Sequence, residues 1–304
     1  MEREVEVEPG VSLWVEDLPA DGPAAGVPAV LLLADANTSG ITWPDRLVAA
    51  LRARHRVLRY DHRDTGRSTH AFEDHPYGVA DLAADALTVL DACGVERVHA
   101  VGAGMGGTLV QLLALDAPER LASASLVVST ALPAASGPEP LLPAPSVEIR
   151  RMWQEMADPR DERVELAWRV EYRRRLAGPA APFDAADAEA LERRVLAHSG
   201  RVEPATAHTE ADPAGTGRGD ELGTIAVPTL VVEGPEDPVH PPPHAAYLAE
   251  RLAGGRSAPP VRLVSVEHMG HVPVPAVLDP LAAVLLAHLA ETAPPPAARQ
   301  PTQR

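Results

Sequence analysis

Short apolar runs alternate along this chain with stretches of helical period, and this alternation constrains the fold more than any other feature. Six mostly apolar runs have the length expected of strands covered on both faces: 28–36, 55–61, 97–103, 121–129, 228–234 and 261–267. Five amphipathic stretches predict helices: 44–54, 79–93, 106–116, 244–253 and 278–291. The pattern predicts an α/β fold with a mostly parallel, doubly wound sheet.

Two departures from this alternation divide the chain. Near the start, EVEVEPGVSLWVEDL alternates polar and apolar residues around Pro9-Gly10, which predicts an antiparallel hairpin at the edge of the sheet. Between about 131 and 222, a Pro-rich segment leads into charged helical stretches, which predicts an inserted helical cap. The predicted organisation is a core in two parts (1–130 and 223–292), the cap (131–222) and a disordered tail (293–304).

The charge balance excludes several classes of partner. The chain has 43 acidic and 27 basic residues, a formal net charge of -16, and its basic residues are all arginine. Nucleic acid and anionic membranes are therefore not expected as partners. The charged start has no apolar signal segment, and no run reaches the roughly 18 apolar residues of a membrane span, so we expect a soluble cytoplasmic protein. The single Cys93 cannot form an internal disulfide, and whether the chain forms a homodimer stays open.

The stretch AVGAGMGGTLVQLL, residues 100–113, is a glycine-rich turn between a strand and a helix. Gly102, Gly104 and Gly107 fit the G-x-G-x-x-G pattern of a dinucleotide-binding turn, and they also fit a hydrolase nucleophile elbow with glycine at its centre. A dinucleotide fingerprint usually opens the first βαβ unit, with an acidic residue ending the next strand. Here the turn follows the fifth predicted strand, and the next strand ends in LVVST. The elbow is therefore favoured, and no cofactor is expected.

Two later residues match the further requirements of an elbow. In this type of fold, an acid follows one late strand and a histidine follows the next. Asp237 lies just past the predicted strand 228–234, and His271 lies just past 261–267. Nucleophile position, acid and histidine thus occur in α/β-hydrolase order, and the insertion lies where that fold carries its cap.

Several segments resemble the aclacinomycin methylesterase group of α/β-hydrolases, which act on aromatic polyketides made by actinomycetes. They are SGITWPD, RYDHRDTGRST, HPYGVADLAADALTVLDACGV, VPTLVVEGPEDPVHPPPH and EHMGHVPV, and RYDHRDTGRS is the most specific. The resemblance covers most of the chain outside the cap. It implies an α/β-hydrolase fold, a polyketide-like small-molecule substrate, and a serine nucleophile supported by Asp237 and His271.

The chain departs from that group at two positions. The elbow G-x-S-x-G reads Gly-Ala-Gly-Met-Gly here, with Gly104 in place of the serine, so no acyl-enzyme can form there. Asp35 stands where the resemblance implies a glycine beside the oxyanion hole, and an ionised carboxylate would repel a developing oxyanion. The backbone N–H groups of Met105 and Ala36 are predicted to belong to this oxyanion region.

The remaining groups suit proton transfer. His271, held by Asp237, is predicted to act as a general base or acid near neutral pH, and Asp35 as a partner whose pKa is raised by burial. The preferred function is tailoring of a polyketide-like molecule by cyclisation, dehydration, isomerisation or water-mediated ring opening or hydrolysis. Two alternatives stay open: a methylesterase present as a variant without its nucleophile, and a non-catalytic small-molecule-binding protein.

Two other groups of residues bear on binding. His240 with His244, and His268 with His271, lack a third ligand at suitable spacing, so no metal site is predicted. The cap concentrates several of the chain's few large aromatic and methionine residues, and some are expected to line a pocket for a flat aromatic substrate. They are Met152, Trp153, Met156, Trp168, Tyr172 and Phe183.

Overall fold

A single sheet of eight strands organises the part of the chain that the computed structural model describes, which is residues 1–23, 26–136, 140–254 and 261–292. The strands are β1 (Glu2–Glu8), β2 (Val11–Leu18), β3 (Ala29–Leu33), β4 (Val57–Tyr60), β5 (Val98–Ala103), β6 (Leu121–Val127), β7 (Thr229–Glu233) and β8 (Val261–Ser265). Their order across the sheet is β1-β2-β4-β3-β5-β6-β7-β8. β2 pairs antiparallel with β1 and β4, and the pairs from β4 across to β8 are parallel.

Helices cover both faces of the sheet. They are α1 (Asp45–Arg52), α2 (Val79–Ala92), α3 (Met105–Asp116), α4 (Val147–Gln154), α5 (Glu162–Leu176), α6 (Ala185–Ser199), α7 (His244–Ala253) and α8 (Leu278–Glu291). Burial of strand β3 on both faces explains why its sequence is continuously apolar. Leu31 and Leu33 pack into the core beneath α2, α3 and α7, whereas Val30 and Leu32 pack into the core beneath α1 and α8. Because successive side chains point to opposite faces, both sets must be apolar.

The predicted fold class is confirmed. The amino-terminal hairpin is formed by β1 and β2, with β1 at the sheet edge, and the six predicted apolar runs contain β3 to β8. The predicted insertion contains α4, α5 and α6, while its exact boundaries stay a prediction. The predicted disordered tail, 293–304, lies outside the described residues. Among the described helices, none combines the length and hydropathy needed to cross a membrane.

Candidate active site

Four residues predicted from the sequence lie together at the carboxyl ends of the parallel strands. Asp35 follows β3, Gly104 follows β5, Asp237 follows β7 and His271 follows β8. Parallel strands bring their carboxyl ends to the same edge, which is where ligands bind in open α/β sheets. Residues up to 236 positions apart in the chain are thereby brought into contact.

The turn from β5 into α3 is tight, and glycine makes it possible. Gly104 has φ 51° and ψ -116°, a backbone conformation that residues with a Cβ adopt only under strain. A Cβ on Gly102 would overlap the backbone of Gly106, so the strand and the helix approach too closely for a side chain there. Gly104 thus lies at the centre of the tight turn between β5 and α3, as the sequence predicts for a nucleophile elbow.

His271 lies between two carboxylates. Its Nδ1 is 3.0 Å from Oδ2 of Asp237, and its Nε2 is 2.9 Å from Oδ2 of Asp35. Only 4% of the His271 side chain is exposed. Asp237 is held in turn because its Oδ1 accepts the backbone N–H groups of Val239 and His240. An imidazole that faces a carboxylate at each nitrogen donates from both, which is the hydrogen-bonding state of the imidazolium.

Asp35 lies in the region that the sequence predicts to bind an oxyanion. Its Oδ1 accepts the backbone N–H groups of Met105 and Ala36, each at 2.7 Å. These are the two donors that the sequence assigns to that region, and both are directed at the Asp35 side chain. The carboxylate also fills the space beside Gly104, because a Cβ on Gly104 would overlap it.

The pKa values of the pair differ from what the sequence suggests. Burial alone would raise the pKa of Asp35, but the hydrogen bond and charge of His271, with the N–H groups of Met105 and Ala36, lower it to about 2. Burial alone would lower the pKa of His271, but the charge and hydrogen bond of Asp237, together with Asp35, raise it to about 10. The predicted raised pKa of Asp35 is therefore wrong in direction, because sequence reasoning weighed burial without the partners.

The pKa of Asp237 is also lowered. Burial opposes ionisation of this carboxyl, and the charge and hydrogen bond of His271 outweigh it, with help from the N–H groups of Val239 and His240. At neutral pH the three groups are thus carboxylate, imidazolium and carboxylate. This differs from a serine triad, in which the resting histidine is neutral.

A cavity of about 170 Å³ opens above the Asp35–His271 pair. Of the cap residues that the sequence singled out, Met156, Trp168 and Tyr172 line it. Trp168 and Tyr172 stack with ring centroids 5.3 Å apart. Trp43 also lines the cavity, although sequence reasoning did not identify it.

The other cap residues that the sequence singled out lie elsewhere. Met152 is buried, Trp153 is 39% exposed, and Phe183 lines a separate, smaller cavity. The cap aromatics therefore divide between the cavity wall and other parts of the cap surface and core.

Buried charges form the cap side of the cavity, and sequence reasoning missed them as well. Glu165 is 1% exposed and pairs with Arg160 at 3.2 Å and Arg169 at 2.6 Å. Glu192, on α6, pairs with Arg173 on α5. The only sequence signal was helical spacing, since Glu165 and Arg169 are four residues apart on α5. The pairing of Glu192 with Arg173 joins two different helices, and such a contact cannot be read from local spacing in the sequence.

The loop after β4 joins the core to the cap. Asp61, fully buried, accepts the backbone N–H groups of Gly40 and Arg67 at 2.8 Å. It also contacts Ser39 Oγ and the Nε2 atom of His198 on α6, the latter at 2.7 Å. The most specific segment of the family resemblance, RYDHRDTGRS, thus contributes a polar anchor for the cap beside the cavity.

One group of potential metal ligands lies beside the pair. Ligand atoms of Asp237, His240 and His271 all lie within 4.8 Å of one another. The sequence predicts no metal site because it compares His240 only with His244. In the structure, Asp237 and His271 are hydrogen-bonded to each other, and His240 Nδ1 is bonded to the carbonyl of Val128. A cation would have to displace the Asp237–His271 bond.

The fold and the arrangement of these residues define a class of protein. A family model described as the alpha/beta hydrolase fold matches residues 28–275. The chain therefore belongs to the α/β-hydrolase family.

Two curated relatives are similar over nearly the whole chain. It is 42% identical over 300 residues to rhodomycin D methylesterase DnrP of Streptomyces peucetius, covering 91% of this chain and 95% of that protein. It is 41% identical to rhodomycin D methylesterase DauP of Streptomyces sp. (strain C5), with the same coverage. The predicted resemblance to polyketide methylesterases is confirmed.

Solved structures share the fold. A hydrolase from Pseudomonas aeruginosa PA01 has a TM-score of 0.69 and 25% identity, covering 95% of this chain and 98% of that chain. An enol-lactonase from Burkholderia xenovorans LB400 has a TM-score of 0.69 and 24% identity, covering 95% and 100%.

Proposed function

We propose that this protein is a tailoring enzyme for a polyketide-like small molecule and that it acts through Asp35, His271 and Asp237 without a serine nucleophile. One observation carries the proposal. The Asp35 carboxylate accepts both N–H groups of the oxyanion region and is hydrogen-bonded to His271 Nε2. A single side chain thereby takes the place of both the serine nucleophile and the oxyanion.

This arrangement opposes ester cleavage by the serine mechanism. Gly104 has no side chain to attack a carbonyl, and loss of the nucleophile alone costs a serine enzyme a factor of about 10⁶ in turnover. The carbonyl oxygen of an ester also needs the N–H donors that Asp35 already occupies. An oxyanion placed there would face a carboxylate, so the two features act against the same step.

The same arrangement favours proton transfer to and from a substrate. Asp35 is ionised and His271 is protonated, so the cavity floor presents a base and an acid side by side. Asp237 fixes the ring and its charge. Cyclisation, dehydration, isomerisation and water-mediated ring opening each need proton donation and acceptance at neighbouring substrate atoms, and none needs an acyl-enzyme.

The cavity wall and the relatives support an aromatic substrate. Trp43, Trp168 and Tyr172 line the cavity, and aromatic walls bind flat, apolar molecules. The two relatives named above are methylesterases of rhodomycin D. Together the two observations support a polyketide-like substrate.

Rhodomycin D itself is the probe that tests the competing esterase function, which the 42% identity to a methylesterase favours. We expect no methanol release by the wild type or by Gly104→Ser, because Asp35 blocks the new hydroxyl. The double variant Asp35→Gly/Gly104→Ser frees the N–H donors of the oxyanion hole and the space beside residue 104 for the serine hydroxyl. It should therefore gain methyl ester cleavage. Methanol release by the wild type at an enzymatic rate would refute the proposal.

A second experiment separates an enzyme from a binding protein. Aromatic polyketides that carry epoxide, hydroxyl or enone groups are incubated with the wild type, Asp35→Asn and His271→Ala, and products are identified by mass spectrometry. We expect at least one compound to be converted by the wild type and by neither variant. Glu119→Gln, an exposed carboxylate at the opposite edge of the sheet, is the control and should keep full activity. Tight binding without conversion would instead favour a carrier.

A further inference from the structure

We propose that the cap wall of the cavity binds a carboxylate, so that the substrate is a flat aromatic molecule that carries a free carboxylate group. Arg173 on α5, assisted by Arg169 on the same helix, is the residue that selects this group. The inference rests on the proposed function, because it names the class of substrate for the same cavity. It concerns binding alone and gives the arginines no step in the reaction.

Arginines outnumber carboxylates in the buried charged cluster of the cap. The members of this cluster are Arg160, Glu165, Arg169, Arg173 and Glu192. The two glutamates are 1% and 6% exposed, and the arginine side chains are 9% to 16% exposed. Three guanidinium groups against two carboxylates leave one positive charge without a partner inside the cluster. A charge buried to this degree is costly unless an opposite charge or several acceptors compensate it.

Arg173 has N–H donors that the cluster does not use. Its Nε donates to Glu192, and neither terminal nitrogen has a hydrogen-bond partner in the part of the chain that the structure describes. Nη1 of Arg169 lies 3.8 Å from Oε2 of Glu192, which is beyond hydrogen-bond distance. The planar guanidinium fork matches the two oxygens of a carboxylate. The two arginines therefore offer more donors on the cavity wall than Glu192 accepts.

Helix α5 sets the distance between these donors and the cavity floor. The carbonyl of Leu176, at the end of α5, accepts the backbone N–H of His271 at 2.7 Å. Arg173 and Arg169 lie three and seven residues before Leu176, which is about 4.5 and 10 Å along the helix axis. A carboxylate held by these side chains is thus about one to two helical turns from the floor, on a part of the substrate remote from the reacting atoms.

The arginines lie beside the aromatic part of the cavity wall. Arg169 and Arg173 are four residues apart on α5, as are Trp168 and Tyr172, so each pair forms a stripe and the two stripes are adjacent. All four residues line the cavity, and the two aromatic rings stack on each other. A flat ring system that lies against the aromatic stripe has one edge next to the guanidinium groups. The wall therefore suits a carboxylate attached to an aromatic ring.

The charges of the floor and of the cap wall differ in sign. At the floor, the carboxylates of Asp35 and Asp237 flank the His271 imidazolium, which leaves one negative charge in excess. The cap cluster has one positive charge in excess. An anionic group on the substrate is therefore attracted to the wall and repelled by the floor. Charge thus favours one orientation of the substrate as well as one class of substrate.

Arg173 also borders the smaller cavity, which is a poorer site for such a molecule. Its volume of about 30 Å³ holds only a few water molecules. The carboxylates that line it, Asp184 and Asp187, are exposed, so solvent screens their charges from Arg173. The main cavity of about 170 Å³ is the one that combines the arginines with an aromatic wall.

A matched pair of ligands tests the inference without turnover. Isothermal titration calorimetry at pH 7 compares the binding of anthraquinone-2-carboxylate and anthraquinone-2-carboxamide, which has nearly the same shape and no charge. We expect the wild type to bind the carboxylate about tenfold more tightly, because hydrogen bonds to a charged acceptor are stronger than those to a neutral one. Equal affinities, or no measurable binding of the carboxylate, overturn the inference.

Variants of Arg173 locate the preference. Arg173→Gln should reduce the preference for the carboxylate to about twofold and leave the affinity for the amide nearly unchanged, whereas Arg173→Lys, which keeps the charge without the fork, should be intermediate. Arg193→Gln removes the same charge from the exposed face of α6, where the side chain is 62% exposed, and should keep the full preference. If Arg173→Gln does not fold, the wild type and Arg173→Lys decide. A full preference in Arg173→Gln, or an equal loss of affinity for both ligands, overturns the inference.

The failure of this inference differs from the failure of the proposed function. Equal affinities for the carboxylate and the amide remove the anion site and leave acid–base chemistry at Asp35 and His271 intact. Methanol release from rhodomycin D by the wild type removes the proposed function itself, whichever of the two ligands binds more tightly.

Discussion

The Asp35 carboxylate fills the space that a side chain at residue 104 would need. Asp35 Oδ1 and Oδ2 both lie in the volume that a Cβ on Gly104 would overlap, although 69 positions separate the two residues in the chain. Glycine at 104 and aspartate at 35 therefore depend on each other. A side chain at 104 requires Asp35 to move, and a smaller residue at 35 makes room for one.

This dependence predicts a coupling in stability. Gly104→Ala should lower the free energy of unfolding by about 1 to 3 kcal/mol from backbone strain alone, since φ is 51°, with a further cost from the overlap with Asp35. Adding Asp35→Gly should remove the overlap, so the double variant should be more stable than the sum of the single changes predicts. Urea denaturation of the wild type, the two single variants and the double variant measures this double-mutant cycle. Strictly additive changes in the free energy of unfolding would show that the two residues do not touch.

The ion pair predicts a specific dependence of stability on pH. The pKa of His271 is raised from 6.5 to about 10, so its contribution is complete below pH 6.5 and is lost as pH rises through 10. The pKa of Asp35 is lowered from 3.8 to about 2, so its contribution is present above pH 3.8 and is lost as pH falls through 2. The melting temperature of the wild type should exceed that of Asp35→Asn most between about pH 4 and 6.5. An advantage that grows between pH 7 and 10 would contradict the assigned charges.

The rate of substrate conversion should depend on the fraction of His271 that is protonated. With a polyketide-like substrate that the wild type converts, kcat/KM should stay flat through neutral pH and fall as pH rises toward about 10, because the free enzyme then loses its imidazolium. A serine triad instead gains activity as its histidine loses a proton near pH 6.5. The pH profile from 5 to 10.5 distinguishes them, and a rise in rate between pH 6 and 7.5 would oppose the account.

The buried charges of the cap predict that two similar substitutions reduce the stability of the protein by different amounts. Glu165→Gln leaves Arg160 and Arg169 without their carboxylate in a buried setting, so it should destabilise the protein by about 3 kcal/mol. Glu189→Gln removes an exposed pair with Arg193 on α6 and should cost less than about 0.5 kcal/mol. Chemical denaturation of both variants provides the comparison. Equal losses would mean that the Glu165 pairs are not buried in solution.

Chain order and apolar patterning made most of the fold predictable. β3 to β8 are short apolar runs, and the acid and the histidine follow β7 and β8 in the order that the elbow requires. Because parallel strands end at one edge, the meeting of Asp237 and His271 follows from sequence order alone. The contact of Asp35 Oδ1 with the Met105 N–H does not, since it depends on the side-chain rotamer of one residue in a loop.

The direction of the pKa shift of Asp35 is a second property that could not be predicted from the sequence. Partial burial among apolar strand ends suggests a raised pKa, and this prediction is wrong because His271, 236 residues away in sequence, donates to the carboxylate. Burial can be inferred from local pattern, whereas the identity of a hydrogen-bond partner requires the fold. The same reasoning applies to Trp43, which reaches the cavity from a loop far from the cap in sequence.

Titration of His271 by nitrogen-15 NMR tests the central claim most directly, since that claim is an imidazolium held between Asp237 and Asp35 in place of a serine triad. In the wild type, both ring nitrogens should keep the shifts of the protonated ring through pH 8, and Asp35→Asn should lower the pKa because one of the two carboxylates is gone. A His271 that titrates near pH 6.5 in both proteins would contradict the account.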